Sequence, residues 1–290
     1  YICGPVERAR NFIPQLKTPL VLSQQTIHKA VVLITGGFIM KFFIADSIAP
    51  LLVDHIYAAP QNYSAPQIWG AVYGYSAKIY FDFAGYTNMA LGIALLFGFS
   101  VMENFNQPYR AASIADFWRR WHISLSSWLM ESIFTPLQLV FRRKKTLGTI
   151  AAILITFFLC AVWHDSGAAM ILWGMIHGLC MMPSLLKQPE KQSEKQKSLI
   201  KIFITFHIVT FAWIFFRAFS LQTGFDIVTG LVNTANGFAL PSAPAILLLL
   251  VAFFLIYLPA GISGKLENFY SGLDIRIKLG ILFTIVCIYI

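Results

Sequence analysis

Residues 142–186 read RRKKTLGTIAAILITFFLCAVWHDSGAAMILWGMIHGLCMMPSLL, two apolar runs separated by His164-Asp165 and opened by four consecutive basic residues. The first run, Thr146 to Trp163, and the second, Ser166 to Leu186, each approach the roughly 20 apolar residues that a helix needs to cross the hydrocarbon core. Basic residues stand at both outer ends, in Arg142-Arg143-Lys144-Lys145 and in the polar stretch KQPEKQSEKQKSLIK at 187–201. Such residues collect in cytoplasmic loops, so the two runs predict a hairpin with both outer ends in the cytoplasm and His164 at its far turn. At a rise of 1.5 Å per residue, His164 lies roughly 27 Å from the basic end and His177 roughly 15 Å in.

The same signature recurs along the chain. Of 290 residues, 57% are hydrophobic and only 12% charged, with a mean hydropathy of +0.67, which excludes an ordinary soluble fold. A membrane β-barrel needs alternation in segments of about ten residues, and runs such as Ile150 to Cys160 do not alternate. The expected fold is therefore all-α, a polytopic transmembrane helical bundle with re-entrant and amphipathic interfacial helices. It forms one transmembrane domain over 1–290, with 187–201 as a polar cytoplasmic loop. The missing initiator Met and the apolar final run predict a fragment lacking N-terminal and C-terminal helices. The net charge of +9 gathers beside apolar runs and is read as topology, with no nucleic-acid partner. Cys3, Cys160, Cys180 and Cys287 show neither metal nor disulfide spacing, so no metal is expected and the thiols inside apolar runs act as packing groups.

A first span is expected from about Thr26 to Ile44, with Lys29 and Lys41 near its ends, where long side chains can snorkel. Ile48 to Tyr57, between Pro50 and Pro60, reads as a separate interfacial or re-entrant piece. Ile68 to Phe99 is one broken span or two. Ser113 to Trp128 places Ile114, Trp118, Trp121, Leu125 and Trp128 at helical spacing, predicting one amphipathic helix opened by a Ser113/Asp116 capping box, with its tryptophans in the headgroup zone. Further spans are expected at Phe203 to Phe219, Ala245 to Pro259 and Lys278 to Ile290.

A histidine in a membrane run normally faces a bundle interior or a wet cavity. His164 fits either a neutral, hydrogen-bonded core residue or a general base taking a proton from a hydroxyl that attacks an acyl thioester. His177 fits a structural role better, with a substrate role as the alternative. Asp165 follows His164, but neighbouring side chains on a helix diverge by about 100°, which makes a dyad weak. Asp82 reads first as a buried hydrogen-bond partner. The run Trp118-Arg119-Arg120-Trp121-His122 fits an interfacial helix, or the rim of a site for a phosphate-bearing donor, because guanidinium groups bind phosphate bidentately. No nucleophile elbow or Gly-rich phosphate loop appears.

Five stretches, in order, resemble the membrane-bound O-acyltransferase family, in particular its alginate O-acetylation and teichoic acid D-alanyl transfer branch. They are Tyr80 to Ala90 (YFDFAGYTNMA), Glu103 to Arg110 (ENFNQPYR), Phe117 to Trp128 (FWRRWHISLSSW), Trp163-His164 and Leu172 to Gly178 (LWGMIHG). The resemblance implies a many-helix bundle in which an outer funnel and a cytoplasmic tunnel meet near His164. It makes His164 and His122 the catalytic pair, with His122 on the donor side. Candidate donor or substrate contacts are Arg119, Arg120, Trp118, Trp121, Asp82, Asn104 and His177. No tightly bound cofactor is implied; the donor would be acetyl-CoA or an acyl carrier thioester. The other implied partners are membrane lipid, an exported polysaccharide acceptor and a separate periplasmic or extracellular acyltransferase, with the protein in the bacterial inner membrane. The sequence departs from the family pattern at Met130, Ser132 and Asp165, where family members carry an Arg-Asp-Tyr-like stretch and, after the histidine, Gly. The competing readings are a transporter or flippase-like protein and an inactive scaffold of an envelope-modifying complex.

Overall fold

The computed structural model describes residues 5–19, 21–185, 198–258, 265 and 269–289. The readings placed on Cys3, on Gly4, on 187–197 of the polar loop and on Pro259 fall outside the described residues. Among these residues the secondary structure is helical, apart from a lone antiparallel bridge between Phe105 and Trp121. Four helical runs are long and apolar enough to cross a membrane: Gln24–Ala58, Ala65–Leu96, Arg142–His164 and Leu199–Arg217. Two apolar helical runs, Ala168–Ser184 and Ala243–Ile256, are shorter. The all-α, membrane-spanning fold read from composition is thus present. Backbone packing divides the chain into two compact units, one of Tyr1–Pro50, Ala77–Asn104 and Leu247–Ile290, the other of Leu51–Ser76 and Phe105–Ile246.

In the first unit, α1 (Ala9–Gln15) is tied down where the Gln15 amide exchanges hydrogen bonds with the backbone of Ser100 at 2.7 and 3.0 Å. Helix α2 (Gln24–Phe38) starts at Ser23, whose hydroxyl accepts from the Thr26 amide at 3.1 Å, the usual way to satisfy an orphan donor. It does not stop at Ile44. Two π-helical stretches, Ile39–Ala45 and Ala49–Val53, carry the run on to Ala58, so 48–57 is a continuation and not a separate piece. Pro50 lies in the second of them; the wider turn accommodates a residue that lacks an N–H and whose ring clashes in an α-helix.

The next span, α3 (Ala65–Leu96), is one unbroken helix, so the segment is neither the broken span nor the two spans expected over 68–99. Its glycines permit close approach to α2. A Cβ on Gly85 would lie 2.7 Å from Gly37 O, and one on Gly92 would lie 2.7 Å from Ala30 O. Lys41, within the longer run, is held by carboxylates. The i→i+5 turn brings Asp46 beside it, and its Nζ reaches Asp46 at 2.7 Å and Asp82 at 2.8 Å, while Asp82 also pairs with Lys78 at 2.5 Å. The last described helix of this unit runs from Ile275 to Tyr289 and sets Tyr289 against Phe38 and Phe42.

In the second unit the expected amphipathic helix over 113–128 is broken in two, α4 (Ile114–Trp118) and α5 (Ile123–Leu129). Ser113 does cap its start, accepting from the Asp116 amide at 3.1 Å. The break follows from tertiary packing: Trp118 and Trp121 are buried among aromatic rings instead of lying in a headgroup zone, and only Trp128 of the three is exposed. A helical hairpin is present, α6 (Lys145–His164) and α7 (Ala168–Met181) packing side by side, with α7 shorter than the run expected to Leu186 and Gly174 where it meets the Phe157 carbonyl and Ala161. Helix α8 (Leu199–Arg217) packs on α7 and brings a third row of aromatic residues.

Candidate active site

The site grows from the far end of the hairpin. His164 is the last residue of α6, and its ring is bounded by Trp163, Trp173 and Phe216 at centroid distances of 4.7, 5.6 and 5.3 Å. The residue is otherwise exposed, and among the described residues its imidazole takes no hydrogen bond. It is therefore not the hydrogen-bonded core histidine that is one of the two sequence readings. Asp165 forms no dyad with it: its carboxylate turns back to accept the Gly167 amide at 2.8 Å and closes the hairpin turn.

His122 sits at the kink between α4 and α5, 4% exposed, with φ 45° and ψ 53°. A left-handed conformation at a residue with a side chain costs of order 1–2 kcal/mol and persists only when surroundings impose it. Here they do. The Phe105–Trp121 bridge, the Asn106 N–H to Arg120 carbonyl bond at 3.0 Å and the Ser126 hydroxyl to Trp121 carbonyl bond at 2.9 Å hold the strand-like entry in place. Burial first, and then the charge of nearby His164, push the His122 imidazole down to about 3, so it is neutral at physiological pH.

Between these two histidines lies an aromatic core drawn from four helices. Trp118 donates its indole N–H to Nδ1 of the fully buried His177 at 3.3 Å. Trp173 stacks on Trp213 at 5.9 Å, and Trp121 packs on Trp213 at 5.1 Å. Of the residues singled out from the sequence, His164, His122, His177, Trp118 and Trp121 share this region. Arg120 is buried beside it, but its guanidinium is committed to Asp116 at 3.0 Å and to the Asn106 carbonyl at 3.2 Å. Arg119 points outward, its side chain 71% exposed, with Asp116 at 3.7 Å. Asp82 and Asn104 belong to the other unit, Asp82 in the lysine pairs described above and Asn104 within 3.5 Å of the Thr87 hydroxyl. Sequence reasoning missed Trp213 and Phe216 altogether; two aromatic residues near the end of an apolar run look like any lipid-facing pair.

Among the described residues no group of three or more His, Cys, Asp or Glu side chains could hold a metal ion. What the arrangement offers is an exposed imidazole at the end of an apolar helical hairpin, backed by an aromatic wall and a second, buried, neutral imidazole. This defines a helical membrane protein with several apolar spans. The chain belongs to the membrane-bound O-acyltransferase (MBOAT) family, which it matches over residues 1–220.

The chain is similar to several named relatives within the family. The chain is 38% identical over 226 residues to the probable alginate O-acetylase AlgI of Pseudomonas aeruginosa, covering 76% of this chain and 41% of that protein. It is 34% identical over 245 residues to the peptidoglycan O-acetyltransferase of Helicobacter pylori, covering 82% and 45%. It is 31% identical over 235 residues to the teichoic acid D-alanyltransferase of Bacillus subtilis, covering 73% and 57%. The chain thus spans about half the length of the curated relatives it matches.

Proposed function

We propose that this protein is an O-acyltransferase of the bacterial cytoplasmic membrane that moves an acyl group, acetyl first among candidates, from a cytoplasmic thioester towards a hydroxyl of an exported envelope polysaccharide. The observation that carries this reading is the placement of His164, open at the far end of the hairpin yet walled by Trp163, Trp173 and Phe216. Membership of the family and the activities named for the relatives support it.

In the proposed reaction a hydroxyl oxygen attacks the thioester carbonyl carbon as the His164 imidazole takes its proton. The carbon–oxygen bond forms, the carbonyl electron pair moves to oxygen, and collapse of that intermediate breaks the carbon–sulfur bond. The departing thiolate then takes the proton from the imidazolium. Such a base contributes about 10²–10⁴-fold, and the apolar wall keeps water from competing with the acceptor. Neutral His122 sits on the donor side, with Arg119, 71% exposed and only loosely paired with Asp116 at 3.7 Å, as the cation that meets a phosphate-bearing donor such as acetyl-CoA or an acyl carrier. Where the attacking hydroxyl belongs to a carrier instead of the glycan, a separate periplasmic acyltransferase would pass the acyl group from that ester to the polysaccharide.

The test is the O-linked acyl content of envelope polysaccharide in cells making the full-length protein or its His164→Ala variant at equal membrane abundance. Loss of acyl groups in the variant is expected. Unchanged acylation would overturn the assignment and leave the transporter or scaffold readings.

A further inference from the structure

Three ring nitrogens in the aromatic core find no hydrogen-bond partner among the described residues: Nε2 of His177, Nε1 of Trp173 and Nε1 of Trp213. All three side chains are buried, His177 at 0% exposure and both tryptophans at 1%. Nδ1 of His177 accepts the Trp118 indole N–H, so in the neutral imidazole the proton resides on Nε2. The three atoms are therefore all donors. Buried donors are nearly always paired, because leaving one unsatisfied forfeits its bond to water without replacement. Three in one cluster call for an acceptor.

Their rings are mutual neighbours. Centroids lie 5.2 Å apart for Trp173 and His177, 5.9 Å for Trp173 and Trp213, and 6.2 Å for His177 and Trp213. Trp173 also touches the His164 ring at 5.6 Å, which joins the cluster to the open imidazole. The chemistry of the set is selective. It offers neutral N–H donors and no anionic ligand, so it suits an oxygen that only accepts, such as a carbonyl or the oxyanion formed from it.

We propose that His177, Trp173 and Trp213 form the hydrogen-bonding subsite for the acyl carbonyl oxygen of the donor, beside His164. The inference rests on the acyltransferase reading. When the acceptor hydroxyl adds to the carbonyl carbon, the carbonyl electron pair moves onto this oxygen, and the three N–H groups stabilise the charge until the carbon–sulfur bond breaks and the pair returns. Preorganised donors of this kind act most strongly where charge develops, and losing one costs about 10²–10³ in kcat. The aromatic walls keep bulk water away from the developing charge.

The test uses the purified full-length protein in lipid nanodiscs and single variants His177→Phe, Trp173→Phe and Trp213→Phe, each of which removes an N–H while keeping a ring. The probes are S-acetyl-4′-phosphopantetheine and its S-ethyl analogue, which shares the phosphopantetheine arm of both donor types and lacks only the carbonyl oxygen. Expected are tighter binding of the acetyl probe than the ethyl probe by wild type, loss of that preference in His177→Phe with ethyl-probe affinity unchanged, and a fall in kcat of about 10²–10³-fold. An active wild type whose acetyl-over-ethyl preference survives in all three variants overturns the subsite. Variants that lose thermal stability but keep the preference overturn it too, and point to a buried water as the acceptor. If wild type neither binds nor turns over the acetyl probe, the acyltransferase reading itself fails.

Discussion

Gly174→Ala is the substitution that most directly links helix packing to chemistry. A Cβ at this position would lie 2.6 Å from the Phe157 carbonyl oxygen and 2.8 Å from the Ala161 Cβ, both on the facing helix of the hairpin. Ordinary contact begins at 3.4 Å, so α7 must retreat from α6 by about 0.8 Å at this point. Neither neighbour is the far end of a flexible side chain, so the clash cannot be absorbed locally. Overpacking of this kind costs about 1–3 kcal/mol. Helix α7 carries Trp173 and His177, whereas His164 ends α6, so the same shift separates the proposed base from the aromatic wall. A misplacement of about 1 Å near reacting groups can cost of the order of 10² in rate. The expected outcome is a lower unfolding temperature together with a roughly hundredfold loss of acyl transfer per molecule in the membrane. Gly36→Ala is the matched control, because a Cβ there meets nothing within 4 Å and alanine is the better helix former by about 0.5–1 kcal/mol. If Gly174→Ala were as stable and active as wild type, the tight α6–α7 seam would play no part in holding the site.

Two further outcomes follow from the buried polar groups. His122 binds a proton near pH 6.5 in an unfolded chain, whereas burial and the charge of His164 lower it to about 3 in the fold, so the unfolded state holds the extra proton between those values. Stability is therefore expected to fall as pH drops from about 6.5 towards 3. His122→Asn, which tolerates the left-handed backbone, should flatten that decline in thermal unfolding measured from pH 4 to 7; an unchanged slope would count against the assignment. In the other unit, Lys41 bridges Asp46 and Asp82 with side chains 26–29% exposed. A double-mutant cycle of Lys41→Met with Asp82→Asn should show coupling of about 1 kcal/mol in unfolding experiments, and additivity within about 0.3 kcal/mol would mean the pair contributes nothing specific.

The sequence by itself determined the class of fold, the hairpin over 142–186 and the place of His164 at its turn. These follow from local quantities: apolar length against bilayer thickness, and basic residues at the ends of spans. It also supplied the Ser113 cap, a contact between residues three apart. Tertiary structure decided the rest. Helical spacing over 113–128 predicts one helix, yet the rings of Trp118 and Trp121 gain more by burial among Phe117, Trp173, His177 and Trp213 than an unbroken helix would allow, and the chain kinks at His122. The partnership of Lys41 with Asp82 joins residues 41 positions apart through a π-helical turn that no local pattern announces. The donor cluster of His177, Trp173 and Trp213 is the clearest case. Each residue alone is an ordinary member of an apolar run, and only the packing of α7 against α8 makes their three rings buried neighbours. Periodicity reports which face of a helix is apolar; it does not report which faces meet.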